Sequence, residues 1–184
     1  EEQHKIITTL QAAEDVITSI ETEILVLRTL KSSFIDAFFS SISETSVRTL
    51  GDLSLEKPKY GANAPACKYV SGNPRYIRIT DIDEFGNLGT DLVSLKLENW
   101  NEYELEDGDF LFARTGATVG KTYLYKPSHG ICVFAGYLVR FRLDRQMILP
   151  EFLFCFTKSP YYERWIKNTV HVGAQPNINA AEYA

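Results

Sequence analysis

Thiol, imidazole and membrane chemistry have little to work with in this sequence. The three cysteines, Cys67, Cys132 and Cys155, are far apart and odd in number, so they offer neither a metal-ligand spacing nor a disulfide frame. Buried, reduced thiols are expected. The three histidines, His4, His129 and His171, fall in separate segments and build neither a metal set nor a Ser/His/Asp arrangement. They are expected at the surface or in loops, and no cofactor or metal is expected. No apolar run approaches the roughly 18 residues of a membrane span, so no membrane partner is expected. The opening EEQHKII is acidic and lacks both an initiator Met and the apolar region of a signal peptide, which leads us to expect a segment of a longer, cytoplasmic protein. Internal repeats and low-complexity tracts are also missing.

What is present is the balance of a soluble globular protein. The 184 residues, 45% hydrophobic and 23% charged, suit one domain with a real core plus an appendage. A net charge of −5 argues at first against a nucleic-acid partner. Its distribution matters more. Residues 1–43 hold seven acidic and three basic side chains, and residues 81–109 hold ten acidic ones against Lys96 alone. The rest of the chain carries fifteen basic residues against seven acidic ones. Gathered on one face, that excess can bind a polyanion; interspersed, it is only a solvated surface.

The first 43 residues predict one long helix. Apolar residues fall at Ile6, Leu10, Ala13, Ile17, Ile20, Ile24 and Leu27, then Lys31 interrupts, and Phe34 and Phe38 follow. Steps of four and three alternate throughout, a five-heptad seam with no Gly or Pro inside it. A helix on the order of 55 Å long with such a stripe needs a partner helix, from the same full-length chain or from a second copy. The alternative is a core helix of one globular domain. The segment SSISETSVRTLGD, from Ser40, reads as the helix end and the entry to a second domain over 44–184.

From Val47 the period becomes that of β-structure. Tyr76–Thr80 alternates, DEFGNLG from Asp83 is turn chemistry, and Glu106–Asp109 is another turn leading into Phe110–Ala113. Lys121–Tyr125 alternates until Pro127, and Cys132–Leu143 is the longest strand candidate. Pro150–Lys158 reads as a helix apolar on nearly all sides and therefore buried. Ser159-Pro160 opens a second short helix to about Asn168, and the tail VHVGAQPNINAAEYA reads as a loop at its start. The fold class is α+β, a long N-terminal coiled-coil helix followed by a mixed, β-rich globular domain with small helices.

The stretch RTGATVGKT, Arg114 to Thr122, ends like the phosphate-binding loop of an NTPase. That loop requires Gly, four residues and Gly-Lys-Ser/Thr between a strand and a helix. Here three residues separate Gly116 from Gly120, Thr115 stands where the first glycine belongs, and a β pattern follows. Without a helix N-terminus much of the phosphate cradle is missing. The remaining reading is a strand–loop–strand whose tip presents Arg114, Thr115, Thr118 and Lys121, residue types that reach phosphate oxygens and base edges. A surface hairpin without a partner is the alternative.

The run GDFLFARTGATVGKTYLY, Gly108 to Tyr125, resembles a target recognition domain from the specificity (S) subunit of type I restriction–modification systems. So do PRYIRITDID from Pro74, FAGYLVRFRL from Phe134 and GAQPNIN, Gly173 to Asn179. EEQHKIITTL, the heptad helix and LKSSFIDAFFS are similar to that family's conserved spacer helix. The resemblance covers nearly the whole chain. It implies recognition of double-stranded DNA, one half of a split site per recognition domain, with two spacer helices in an antiparallel coiled coil setting the separation. It also implies methylation and restriction subunits as partners. Relative to a full S subunit one recognition domain and one helix are missing, so a fragment or a half-sized subunit is implied. Two copies pairing through Ile6 to Phe38 would then restore a pseudo-complete subunit.

Under that resemblance each candidate residue carries two readings. Arg114 reads a base or phosphate, since a guanidinium can bond guanine through two contacts, or it holds the hairpin through a carboxylate. Lys121 contacts phosphate or is a solvated strand-end lysine. Thr115 and Thr118 bond phosphate or a thymine methyl, or stabilise the turn. Tyr137, after Gly136, packs on a sugar or base, or is a core tyrosine. Gln175 and Asn177 bracket Pro176 and suit adenine or phosphate, or close the loop. Lys68, Arg75 and Arg78 are lesser phosphate candidates, with ion pairing to the acids of 81–109 as the alternative. Neither the Asn-Pro-Pro-aromatic motif of an adenine methyltransferase nor a glycine-rich turn for its methyl donor occurs, so a non-catalytic component is expected. Two other functions stay open: the recognition part of a single-chain methyltransferase or restriction enzyme, and a coiled-coil adaptor whose β domain binds protein.

Overall fold

The computed structural model describes residues 1–42, 48–170 and 175–184. The chain divides into two compact units, Glu1–Ile42 and Ser43–Ala184. Residues 43–47 of the anticipated helix-exit segment, His171 and the first two residues of GAQPNIN lie outside the described residues.

The first unit is one helix, α1 (Glu2–Ser41), uninterrupted because no Gly or Pro occurs in it. Five threonines on it, Thr8, Thr9, Thr18, Thr22 and Thr29, turn their hydroxyls back onto the carbonyl four residues earlier. The seam residues Ile6, Leu10, Ile17, Ile20, Ile24, Leu27, Phe34 and Phe38 are all exposed, Phe34 at 72%. Thr8, Asp15, Thr22, Thr29 and Asp36 repeat every seven residues on the opposite side. The helix thus has a polar back and an uncovered apolar front.

The second unit opens with three short strands, β1 (Lys59–Tyr60), β2 (Ala66–Lys68) and β3 (Arg75–Ile77). Then come β4 (Val93–Leu95), β5 (Phe110–Ala113), β6 (Thr122–Leu124), β7 (Cys132–Phe134) and β8 (Leu138–Phe141). Three helices close it, α2 (Pro150–Phe156), α3 (Pro160–Thr169) and α4 (Ala180–Tyr183). The main sheet is antiparallel in the order β1-β8-β5-β6. β2 pairs antiparallel with β4, and β3 pairs parallel with β7.

β5 is buried along its whole length, which is why it reads as the unbroken apolar run FLFA rather than an alternation. Phe110 and Phe112 face one way, into a cluster with Val139, Phe141, Leu153, Tyr162, Ile178 and Tyr183 from β8 and the helical end of the chain. Leu111 and Ala113 face the other way, onto Ile77, Leu105, Tyr123, Phe134 and Leu138. The main sheet is therefore sandwiched between the small helices and the β3–β7 layer.

Several expectations need correction. Cys132–Leu143 is not one strand: it breaks at Ala135-Gly136-Tyr137, where the Leu138 amide donates to the Ala135 carbonyl at 2.8 Å and the Gly136 amide to Ala62 at 2.8 Å. The chain changes sheets at that turn. The strand expected over Tyr76–Thr80 is β3, ending at Ile77, followed by a short 3-10 turn from Ile79 to Asp81. Helix α2 is buried on one side only. Pro150 and Leu153 are buried while Phe152 and Cys155 are exposed, because one side of a short helix meets the sheet. Of the thiols, Cys132 is buried, Cys67 partly so and Cys155 exposed, and all three are free.

Buried charge ties the turn before β5 to β8. Asp109 is 1% exposed and accepts two hydrogen bonds from Arg142, at 2.9 and 3.0 Å. Arg142 also pairs with Glu106 at 2.7 Å, while the buried Arg140 pairs with Glu56. Part of the acidic run 81–109 is thus structural, including Asp81 on Arg78 and Asp107 on Arg145.

Candidate nucleic-acid interface

The β5–β6 loop, residues 114–121, is closed by two backbone bonds, from the Ala113 amide to Lys121 at 2.9 Å and from Gly120 to Ala113 at 3.0 Å. A 3-10 turn, Gly116–Thr118, fills it. Gly116 and Gly120 have φ of 68° and 86°, left-handed values that a side chain would strain. A strand, not a helix, follows Gly120-Lys121, so the loop has no helix N-terminus to cradle a nucleotide phosphate.

Two distant segments lie against the start of this loop. The Gly116 amide donates to the Pro176 carbonyl and the Ile178 amide to the Arg114 carbonyl, both at 2.9 Å. Thr115 forms an antiparallel bridge with Asn177. On the other side the Arg114 amide donates to the Tyr137 carbonyl at 3.0 Å. The tail is anchored below. Asn179 caps α4 by accepting from the Ala181 and Glu182 amides, and Tyr183 stacks on Phe112 and donates to the Ala113 carbonyl at 2.9 Å. The segment that reads in sequence as a loose loop is therefore held against the β5 end from Gln175 onward.

Arg114, Tyr137, Gln175 and Asn177, taken from three parts of the sequence, thus converge on one end of the main sheet. Tyr137 is 58% exposed, which excludes a core role, and Gln175 is exposed. The Arg114 Nε–H donates to Asn177 Oδ1 at a long 3.4 Å, and its guanidinium lies 4.8 Å from the centre of the Tyr60 ring. Arg114 has no carboxylate partner among the described residues, so the carboxylate reading has no support there.

Other candidates are turned inward. Lys121, anticipated at the loop tip, donates from Nζ to the Ile82 carbonyl at 3.0 Å. The Thr118 hydroxyl donates to the Thr115 carbonyl at 2.9 Å, the bond of a turn-stabilising threonine. Thr115 is buried, and its Oγ1 meets no hydrogen-bond partner among the described residues. Lys68 stands exposed on β2. Arg75 donates from Nη2 to the carbonyls of Gly89 at 2.5 Å and Asp91 at 3.4 Å, so backbone rather than a carboxylate holds it. Arg78 does form the anticipated ion pair, through two bonds to Asp81.

Tyr60 is the member of the cluster that the sequence does not announce. It sits in a two-residue strand, too short for any period, and only its place beside Gly61 distinguishes it. A second unanticipated group is His129, whose Nδ1 lies 2.6 Å from the hydroxyl of buried Tyr123. Partial desolvation lowers the imidazole pKa, and the charges of Arg75 and Lys126 lower it further. Burial pushes the Cys132 thiol up to about 11, which disfavours its thiolate form. No group of His, Cys, Asp and Glu suited to a metal ion occurs among the described residues.

One end of the main sheet thus presents a cation, two exposed phenols and two amides on a β-framework. The α+β fold that carries it is found in a chain from a structure described as the "structural basis underlying complex assembly and conformational transition of the type I R-M system". The two superpose with a TM-score of 0.54 at 17% identity, over 74% of this chain and 35% of the other, so the present chain spans about a third of that protein. No family model and no curated protein matches the sequence.

Proposed function

We propose that this chain is the DNA-recognition module of a type I restriction–modification complex, a fragment of an S subunit or a half-sized one. The observation that carries this reading is the convergence of Arg114, Tyr137, Gln175 and Asn177 at one end of the sheet, on a fold shared with a chain of a type I R-M structure. Arginine and amide side chains are those that bond guanine and adenine edges through paired contacts. Arg114 is the leading base reader, and one such pair discriminates by about 1–3 kcal/mol. Tyr137 packs on sugar or base, and Gln175 and Asn177 supply amides. Lys68 and Arg75 remain phosphate candidates, whereas Thr115, Thr118 and Lys121 act chiefly by holding the loop. The chain supplies the address on double-stranded DNA, and methylation and restriction subunits supply the chemistry. The front of α1 pairs with a second spacer helix, from a missing part of the chain or from another copy.

The test is binding to duplex DNA as a function of salt. Affinity falls steeply between about 50 and 200 mM salt, as for any protein that displaces counterions from phosphates. A chain that bound no cognate duplex even when supplied with its methylation subunit would refute the proposal. One observation favours a protein-facing role for part of the surface. Glu84, Asp91, Glu98 and Glu104 are exposed in the acidic run, where DNA would be repelled and a basic subunit surface attracted.

A further inference from the structure

We propose that Tyr60 is a positioning residue that fixes the orientation of Arg114 for readout. The inference rests on the DNA-recognition reading and assigns a role to a residue outside the anticipated set. Arg114 has three kinds of surface to offer: the face of its guanidinium plane, its Nε–H, and the outer edge with its terminal nitrogens. The guanidinium carbon lies 4.8 Å from the centre of the Tyr60 ring, and Nε–H is directed to Asn177 Oδ1. The terminal nitrogens hydrogen-bond to none of the described residues. A cation–π contact holds the guanidinium against the ring without a hydrogen-bond partner for its terminal nitrogens. Arg114 is thereby held by the ring contact and the Nε–H bond, while the terminal nitrogens, which form paired bonds with a base edge or a phosphate, stay open.

Tyr60 is itself immobilised, as a positioning residue must be. Its backbone pairs with Val139 at the edge of the main sheet. Its hydroxyl accepts the Ala180 amide at 3.1 Å, joining the ring to the start of α4. The next residue, Gly61, lies so close to the carbonyls of Phe134 and Ala135 that a Cβ there would stand 2.3 and 2.4 Å from their oxygens. The backbone next to Tyr60 is therefore packed directly against the end of β7 and the turn after it. The ring nonetheless keeps 41% of its surface exposed, so it supports Arg114 at the surface and not in the core. An arginine held in its binding rotamer before the partner arrives loses less freedom on binding, which raises both affinity and discrimination.

The experiment selects duplexes from a fluorescein-labelled pool with a randomised core, using the 184-residue chain and the variants Arg114→Ala, Tyr60→Ile, Tyr60→Phe and Tyr60→Ile/Arg114→Ala. Arg114→Ala is expected to relax the motif at one position by about tenfold or more. Tyr60→Ile is expected to relax the same position by at least about threefold, with the salt slope unchanged because phosphate contacts persist. Tyr60→Phe keeps the ring and is expected to keep most of the discrimination. In the double variant the Tyr60 change adds nothing to the Arg114 change. If Tyr60→Ile lowers the melting temperature markedly, Tyr60→Met replaces it and is judged by the same coupling. A Tyr60 substitution that leaves the motif intact while Arg114→Ala alters it, or whose effect persists undiminished without Arg114, overturns the positioning role and leaves the DNA reading standing. Absence of any duplex binding by the unsubstituted chain at low salt, even when supplied with its methylation subunit, overturns both.

Discussion

Arg114 and Lys121 sit on the same loop and look interchangeable in sequence, yet the structure gives them opposite tasks. Lys121 spends its ammonium on the Ile82 carbonyl, and Arg114 leaves its guanidinium edge open over Tyr60. Residue type alone could not separate them, because the carbonyl and the ring lie 39 and 54 positions away along the chain. His129 is a comparable case. As a lone histidine in a turn it reads as solvated, and its bond to Tyr123 appears only when β6 and the turn before β7 fold together. Its folded pKa is lowered from an ordinary 6.5, so the unfolded chain binds the proton more readily. Stability from this site is therefore full above pH 6.5 and declines as pH falls below that value toward the folded pKa. Thermal melting between about pH 7.5 and 5 should show a smaller decline for His129→Gln than for the unsubstituted chain, and identical slopes would refute the assignment.

Among the elements, β5 and the turn before it bear the most. The turn's Asp109 is buried and held by two bonds from Arg142 on the chain leaving β8, with Arg140 at 3.8 Å. Removing one partner of such a pair leaves a carboxylate without its counter-charge in the interior. Arg142→Met is therefore expected to cost about 3 kcal/mol, somewhat moderated by Arg140 and by the partial exposure of Arg142, as read from urea unfolding. A cost below about 1 kcal/mol would mean that Arg140 alone suffices. The apolar run and the turn residues announced β5 and its neighbours, since burial on both faces demands that pattern. The division of 132–143 into two strands was hidden, because the apolar residues on either side of Gly136 continue as one long strand would require. The chain leaves one sheet for another where β7 pairs with β3 and β8 with β5, and the Gly136 amide there bonds Ala62, 74 positions away.

For the molecule as a whole, the helix α1 and the β-rich unit pose different questions. The seam from Ile6 to Phe38 is exposed, a length of apolar surface of the kind that a second helix covers in a coiled coil. Sedimentation equilibrium should show self-association of the chain, weakened by Ile20→Asp or Ile24→Asp, and a strictly monomeric chain at high concentration would refute pairing between copies. The seam was legible because a helix repeats its face every few residues, so local spacing alone writes the stripe. The same holds for the fold class, for the glycines of the β5–β6 loop and for the rejection of a nucleotide-binding loop, all decided by neighbours within a few positions. Arg114, Tyr137, Gln175 and Asn177 could be named from their chemistry, but nothing local states that they meet. Their convergence depends on hydrogen bonds that join Arg114 to Tyr137 and Ile178, and the support of Tyr60 on an edge strand of two residues. Periodicity carries information about which side of an element faces the core; which elements become neighbours is set by long-range pairing and packing, and that the tertiary structure alone decided.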